Sequence, residues 1–385
     1  MFACLYDKNL RALGTWSTYA TNKWNLVRKA YEFDELSITT REMDNSAKAM
    51  YIGLHNDDGS LKYLAFSGKP NTKDGMTTYK GTDIRQIYKQ QMPIDFSNVG
   101  VSDIYDPASG NISKTRLQQI YEYLLALPLN FKHNGFTTSS PTADSEYQIK
   151  FIIDTSDIGE HDPLTEDAQG WHEDWINRTA AIGNVWNTIQ NFNMMYDCYV
   201  EFSVDLNART VTCKVKRIYE LISFKLSDFN ESRIINDTSV TNRIVVRLKS
   251  NDEDQVGIEQ FTVYLLSDDN IISKTPSASW SSDEIRRIIQ PARVETILVD
   301  ELSKGIASAY QKLMGNRFKG KVEINTDCEM GYLLRKLDLN TFADVYGYNA
   351  ADTDETKRRL PIMQISEDNT GKIKVAFGRL EQYWY

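Results

Sequence analysis

The densest group of chemically capable side chains lies between residues 161 and 174. His161, Asp162, Glu166, Asp167, His172, Glu173 and Asp174 crowd into fourteen residues. Such a set suggests a divalent-cation site or acid–base chemistry, but either needs its ligands at fixed offsets on one face. The zinc-protease spacing His-Glu-x-x-His fails, because Asp174, Trp175 and Ile176 follow His172-Glu173 and no second histidine arrives. The Asp-x-Asp-x-Asp-Gly pattern of a calcium loop is missing too. The segment therefore reads as a solvated acidic loop before a helix, where the macrodipole favours carboxylates. Calcium binding is the alternative.

Other reaction classes find less. There is no Gly-x-Ser-x-Gly elbow. Histidine occurs four times, at positions 55, 133, 161 and 172, and no local spacing builds a triad from them. With 53 Asp and Glu, some carboxylate pair always exists, so abundance says nothing about glycan cleavage. The glycine-bearing run at 68–75 lacks the Gly-Lys-Ser/Thr ending of a phosphate loop. The expectation is a protein that is not an enzyme, with no catalytic residue, metal or cofactor. Trp171, Trp175 and Trp186 fall at helical spacing, which argues for burial in a core or interface over sugar stacking. Tyr383, Trp384 and Tyr385 form an aromatic group at the end of the sequence and are candidates for docking on a partner.

The elements that must position these residues are bounded by composition. The 385 residues are 41% hydrophobic and 25% charged, enough for two to four packed domains at roughly 100–200 residues each. The net charge of −9 argues against a basic nucleic-acid groove, and suits a channel through which DNA slides without sticking. Cys4, Cys198, Cys213 and Cys328 are scattered with no Cys-x-x-Cys spacing, as expected of reduced thiols in a chain made in the cytoplasm. No secretory leader is legible, and no apolar run approaches the roughly 18 residues a membrane span needs.

Residues 1–100 read as β structure, with a strand in "YEFDELSITT", a hairpin over Tyr51, Leu54, Leu61, Tyr63 and Leu64 around an Asn-Asp-Asp-Gly turn, and a strand, glycine turn and short helix in "YKGTDIRQIYKQ". In 101–217, Ser113 is placed as the cap of a helix whose Leu117, Ile120, Tyr121, Leu124 and Leu125 share a face, with Pro128 ending it. A second helix is expected to carry Trp171, Trp175, Ile182, Val185, Trp186, Ile189 and Phe192. A hairpin should then set Val200, Phe202 and Val204 against Val211, Cys213 and Val215. Strands return from 218. A long helix with a stripe of Leu298, Leu302, Ile306, Ala309, Tyr310 and Leu313 follows, and the sequence closes on a hairpin turning at Thr370-Gly371.

This order of elements, with the strand "TNRIVVRL", its partner around "YLLSDDNI", the long helix and the closing "KIKVAFGRL", resembles the phage baseplate and tail-tip hub proteins. These include the siphophage tail-associated protein and the central hub of contractile tails. The resemblance implies an α+β, multidomain fold: two related small β-barrels per chain, 1–100 and the discontinuous 218–250 with 321–385. The α/β insertion domains would be 101–217 (helix and hairpin) and 251–320 (strand pair and long helix). It further implies a homotrimer in the virion tail tip, adapting a six-fold tail ring to a three-fold tip and closing or opening the DNA conduit. Its partners would be a hexameric distal tail protein or tail-tube ring, with tape-measure and receptor-binding proteins. A cell-wall-degrading tail enzyme and a host-glycan-binding module are the alternatives.

Overall fold

In this computed structural model, the described residues are 1–14, 23–41, 46–97, 99–100, 103–130, 136–139, 148–159, 181–225, 231–236, 241–249, 261–266, 270–316, 320–326, 337–346 and 357–378. The fold is mostly β-sheet with few helices, in an α+β arrangement of several modules.

The N-terminal strands are β1 (Phe2–Tyr6), β2 (Lys23–Lys29), β3 (Glu35–Thr40), β4 (Tyr51–His55), β5 (Leu61–Ser67), β6 (Asn71–Lys73) and β7 (Met76–Thr82). They hydrogen-bond in the order β1-β4-β5-β7-β3-β2, with β6 added to β7. The expected 51–64 hairpin is present. Its turn closes through Asn56 N–H to Ser60 O, with Gly59 at φ 87°, a backbone region open to glycine at no steric cost. Gly81, expected in a turn, lies inside β7, where it leaves room for the Cβ atoms of Leu36 and Ala65.

The two faces of this sheet bury different partners. Leu5, Trp24, Leu26, Leu36, Ile38, Ile52, Leu54 and Tyr79 form one core between these strands. Tyr6, Tyr51 and Leu64 point the other way, into a core shared with the next module. That double burial is why β1 and β4 lack a polar alternation.

Strand β8 (Gln91–Ile94) leads into the first insertion, which contains β9 (Ile104–Asp106), β10 (Asn111–Lys114), α1 (Arg116–Ala126), β11 (Lys150–Asp154), β12 (Ala181–Asn184), α2 (Val185–Met195), β13 (Cys198–Asp205) and β14 (Thr210–Arg217). Helix α1 is capped by Thr115, not Ser113. Thr115 and Gln118 form a reciprocal capping box, while Ser113 stays in β10 and donates to Ile104 O. The stripe from Leu117 to Leu125 is fully buried. Ile182 is not helical: it sits in β12, paired with β8. The helix starts only after Asn184, whose side chain accepts from Asn187 N–H. The β13–β14 hairpin has the expected register, with Val200 opposite Val215, Phe202 opposite Cys213 and Val204 opposite Val211.

Next come β15 (Glu220–Lys225) and β16 (Glu231–Asn236), then a second insertion. It comprises β17 (Arg243–Leu248), β18 (Phe261–Leu265), β19 (Ile271–Lys274), α3 (Ser282–Arg287), β20 (Val294–Val299) and α4 (Leu302–Asn316). Its sheet runs β19-β18-β17-β20, so the strand at 243–248 lies with residues 261–299. Residues 294–299 are a strand parallel to β17, not the first turns of a long helix. Valine, threonine and isoleucine at 294, 296, 297 and 299 suit a pleated surface, and Leu298 is exposed. Helix α4 lays Ala309 and Leu313 on Ile244, Val246 and Val263.

The closing strands are β21 (Gly320–Thr326), β22 (Thr341–Tyr346), β23 (Lys357–Asp368) and β24 (Ile373–Gly378). The terminal hairpin turns as expected, with Gly371 at φ 78° and Thr370 N–H donating to Asp368. Strand β23 is the seam of the molecule. Residues 357–361 pair with β22, while 364–368 pair with Asn25–Lys29 of β2. Both ends of the chain therefore share one thirteen-stranded sheet. Among the described residues neither half closes into a barrel: β1 and β2, the flanking strands of the first half, do not pair.

Candidate functional site

The most highly charged buried group in the described residues lies where the N-terminal strands, the first insertion and the C-terminal strands meet. Asp83 caps a 3-10 turn at Ile84–Tyr88, its Oδ1 accepting from Arg85 N–H at 2.8 Å. That turn throws the Arg85 side chain into the interior. Asp34, just before β3, faces it: Oδ1 accepts from Lys29 N–H at 2.7 Å and Oδ2 from the Tyr63 hydroxyl at 3.0 Å.

Arg85 then engages all three nitrogens of its guanidinium. Nε donates to Asp83 Oδ2 at 2.7 Å. Nη2 lies 2.5 Å from Asp34 Oδ1 and 2.6 Å from Asp83 Oδ2. Nη1 donates to Lys29 O at 3.1 Å and to Val200 O in β13 at 2.9 Å. The guanidinium also lies over the Trp186 ring of α2, 5.6 Å from its centroid, and Trp186 stacks on Phe33. One buried cation thus ties β2, β3, the 3-10 turn, β13 and α2 together.

Two carboxylates share this single buried cation. Burial, together with the neighbouring Asp83 charge, outweighs Arg85 and pushes the Asp34 carboxyl up to about 6. The guanidinium of Arg85 is held firmly charged, its two carboxylates overcoming the cost of burial.

Asp34, Asp83 and Arg85 themselves line a cavity of about 260 Å³, together with Arg28, Lys62, Tyr63, Glu201 and Leu339, among others. Two of these residues reach the C-terminal part: Lys62 pairs with Glu367 at 2.6 Å and Arg28 with Asp338 at 3.0 Å. The arrangement is a joint. Its acids and base satisfy each other, and it presents no activated nucleophile.

The remaining candidates are accounted for by packing. His55 is buried in β4. Gly59 O lies 3.0 Å from Nδ1 and can only accept, which assigns the proton there and leaves Nε2 to accept from the Tyr6 hydroxyl at 2.7 Å. Burial lowers its pKa, so it is a neutral core histidine. Cys4, Cys198 and Cys213 are free and buried. Burial pushes the thiols of Cys198 and Cys213 up to about 12, which makes them poor nucleophiles. No group of three or more His, Cys, Asp or Glu able to hold a metal occurs among the described residues. No described helix is long and apolar enough to cross a membrane. The 161–174 cluster, Trp171, Trp175, Cys328 and the Tyr383, Trp384, Tyr385 group lie outside the described residues. Asp34, Asp83 and Arg85 were not singled out from the sequence. Their one local signal was Asp83 directly ahead of a short helical run, an N-cap pattern.

No family model matches the chain, and no curated protein matches it. Solved structures do. The chain is similar to the prophage tail protein gp18 from Listeria monocytogenes, at 9% identity and a TM-score of 0.46, covering 100% of this chain and 96% of that one. It is similar to a chain of the phage P2 baseplate in its activated conformation, at 9% identity and a TM-score of 0.45, over 98% and 99%. A chain of the Francisella PdpA–VgrG complex matches at 11% identity and a TM-score of 0.46, over 100% and 53%. The structures it resembles are thus phage tail and baseplate proteins and a VgrG complex.

Proposed function

We propose that this chain is a structural component of a phage tail tip or baseplate, acting as a hub and not as an enzyme. The observation that carries the reading is the β2–β23 seam. Both ends of the chain build one sheet, two helix-bearing modules are inserted into it, and the joint is locked by a buried arginine whose three guanidinium nitrogens are all engaged within the chain. That is the construction of a rigid scaffold. The element order read from the sequence, with its resemblance to tail hubs, supports the same reading.

In this proposal the two β modules, 1–100 and the interrupted 218–250 with 321–385, act as barrel-like halves, the second with its inner boundary moved from 250 to about 241. Three copies would form a ring of six related halves around the tail axis, between a six-fold tail ring and a three-fold tip. The ring would bound the DNA conduit in the virion. The partners are the distal tail or tube ring above and tape-measure and receptor-binding proteins beside it, with the aromatic group Tyr383, Trp384, Tyr385 as a docking element. The test is sedimentation mass followed by electron microscopy of the purified chain, alone and with its tail-ring partner. A closed ring of three 44.2 kDa chains is expected. Turnover of purified cell walls, or no ring even on the partner, overturns the reading.

A further inference from the structure

The cavity at the joint is walled by two unbroken stretches of strand, residues 61–64 of β5 and 200–204 of β13. Consecutive residues of a strand point to opposite faces, so a cavity that touches every one of them meets the strand edge-on. Neither edge has a strand neighbour there among the described residues. Strand β5 pairs with β4 along its other side, and its pairing with β7 covers only Phe66 and Ser67. Strand β13 pairs with β14 alone and is the outer strand of its three-stranded sheet. The cavity is therefore a slot between two open strand edges.

The β13–β14 ladder fixes which backbone groups face the slot. Ile218 N–H donates to Asp197 O at 2.7 Å, a hydrogen-bonded pair just before the ladder begins. Hydrogen-bonded and non-hydrogen-bonded pairs alternate from there. Val200, Phe202 and Val204, opposite Val215, Cys213 and Val211, then turn their N–H and C=O away from β14. The Arg85 bond to Val200 O at 2.9 Å has the same phase. Among the described residues nothing takes the N–H or C=O of Phe202 or Val204 on that edge. Charge does not select an occupant, because the charged side chains of the lining already have partners in the chain. Arg28 holds Asp338, Lys62 holds Glu367, Glu201 holds Lys216 at 2.8 Å, and Arg85 holds Asp34 and Asp83. The slot offers backbone donors and acceptors at a two-residue repeat, with Leu61, Leu64, Phe202 and Val204 packed on the shared core beside them.

We propose that the slot between β5 and β13 takes an extended tail or linker of a partner protein, which adds to β13 as a strand at Phe202 and Val204. An extended backbone matches the two-residue repeat, as in strand addition to a sheet edge. Walls on both sides exclude the edge strand of a folded sheet, which brings a neighbour of its own, so the occupant is a single unpaired segment. About five residues run the length of the edge. Their alternate side chains are apolar beside Phe202 and Val204 and uncharged beside Ser203, which is exposed. The inference does not depend on ring closure.

The experiment reads amide hydrogen exchange residue by residue in the full-length chain, with and without a blocked pentapeptide that alternates valine and threonine. In the dilute chain alone, the amides of Phe202 and Val204 should exchange fast, and those of Glu201 and Ser203, bonded to β14, slowly. The peptide should slow Phe202 and Val204. The same peptide N-methylated on the residues that face β13 should bind about tenfold more weakly, the weight of one net hydrogen bond. Val204→Pro removes an outward N–H and no ladder bond, a change edge strands tolerate, and should weaken binding by a similar factor with exchange in β14 unchanged. The N-methylated peptide tests the same bond on the parent chain if that variant does not fold. No slowing at the solubility limit of the peptide overturns the proposal, as does equal slowing by the N-methylated form. Slow exchange at Phe202 and Val204 in the dilute chain alone overturns it too, because the edge is then filled from within. Slowing that grows with chain concentration and needs no peptide means that a second copy fills the slot, and overturns the partner.

Discussion

Arg85 donates a hydrogen bond to the backbone carbonyl of Val200, 115 residues away in sequence, at 2.9 Å. The bond crosses from the N-terminal strands to the hairpin of the first insertion, and the same guanidinium is gripped by Asp34 and Asp83. Removing the cation takes a partner from two buried carboxylates and from two acceptor carbonyls, Lys29 O and Val200 O. Arg85→Met should therefore cost about 3–5 kcal/mol, the range for breaking a buried ion pair from one side. Arg85→Lys should recover little, because an ammonium cannot reproduce the planar fork. Urea unfolding of the two variants measures this. A midpoint within error of the parent would show that the joint is not held by Arg85.

The joint also sets a pH dependence of unusual sign. The Asp34 carboxyl titrates near 6 in the folded chain against about 3.8 for its ordinary value. Between those pH values the folded state binds the proton more readily than the unfolded state does. Stability from this group is therefore highest below about pH 4, falls as pH rises, and levels off above about pH 6. An ordinary salt-bridged aspartate gives the opposite slope. Denaturant midpoints across pH 4–7 should show this decline in the parent less Asp34→Asn. A difference curve that is flat or rises across the window would mean that Arg85 wins over burial.

Much of the fold was legible in local pattern, and the joint was not. The β13–β14 hairpin could be registered residue by residue because Val200, Phe202 and Val204 alternate against Val211, Cys213 and Val215 about a short turn. The α1 stripe was visible because the 3-and-4 spacing of Leu117 to Leu125 has no rival reading. The start of α4 was misplaced because Leu298 and Leu302 lie four apart, a helical spacing, while the β-branched residues at 294–299 obey a parallel pairing with β17 that no local window reveals. Asp34 and Arg85 are 51 residues apart. Each alone looks like a solvated surface charge, and only the tertiary meeting of β3, the 3-10 turn and β13 makes them a cluster.

Asn242, the residue that leads the strand "TNRIVVRL", organises the edge of the second insertion. Its Nδ2 donates to Pro291 O at 3.0 Å, its Oδ1 accepts from Arg293 N–H at 3.0 Å, and the residue is buried. Asn242→Ala should leave those backbone groups unsatisfied at about 1–3 kcal/mol. The loss should be local, seen as faster amide exchange in β17 and β20 with β2 and β3 unchanged. Asn242→Asp keeps the acceptor but loses the donor and should fall between. Uniform exchange across the whole chain would mean that the second insertion does not unfold as a separate unit.

Gly305 decides how closely α4 can approach its sheet. A Cβ placed there would stand 2.6 Å from Val246 Cγ1 and 2.8 Å from Val299 Cγ2, so the helix and the sheet must separate for any larger residue. Two effects compete in Gly305→Ala. Alanine is better than glycine in a helix by about 1 kcal/mol, while overpacking a tight contact costs about 1–3 kcal/mol. Both opposing groups are β-branched valines held in a sheet, with little rotamer freedom to give way. The steric cost should therefore win, giving a net loss on the order of 1 kcal/mol and a lower thermal midpoint. Adding Val246→Ala opens space on the side of the closest contact, and if the clash is the cause the double variant should lose less than the sum of the two single changes. A higher midpoint for Gly305→Ala alone would show that α4 sits farther from β17 than this geometry requires.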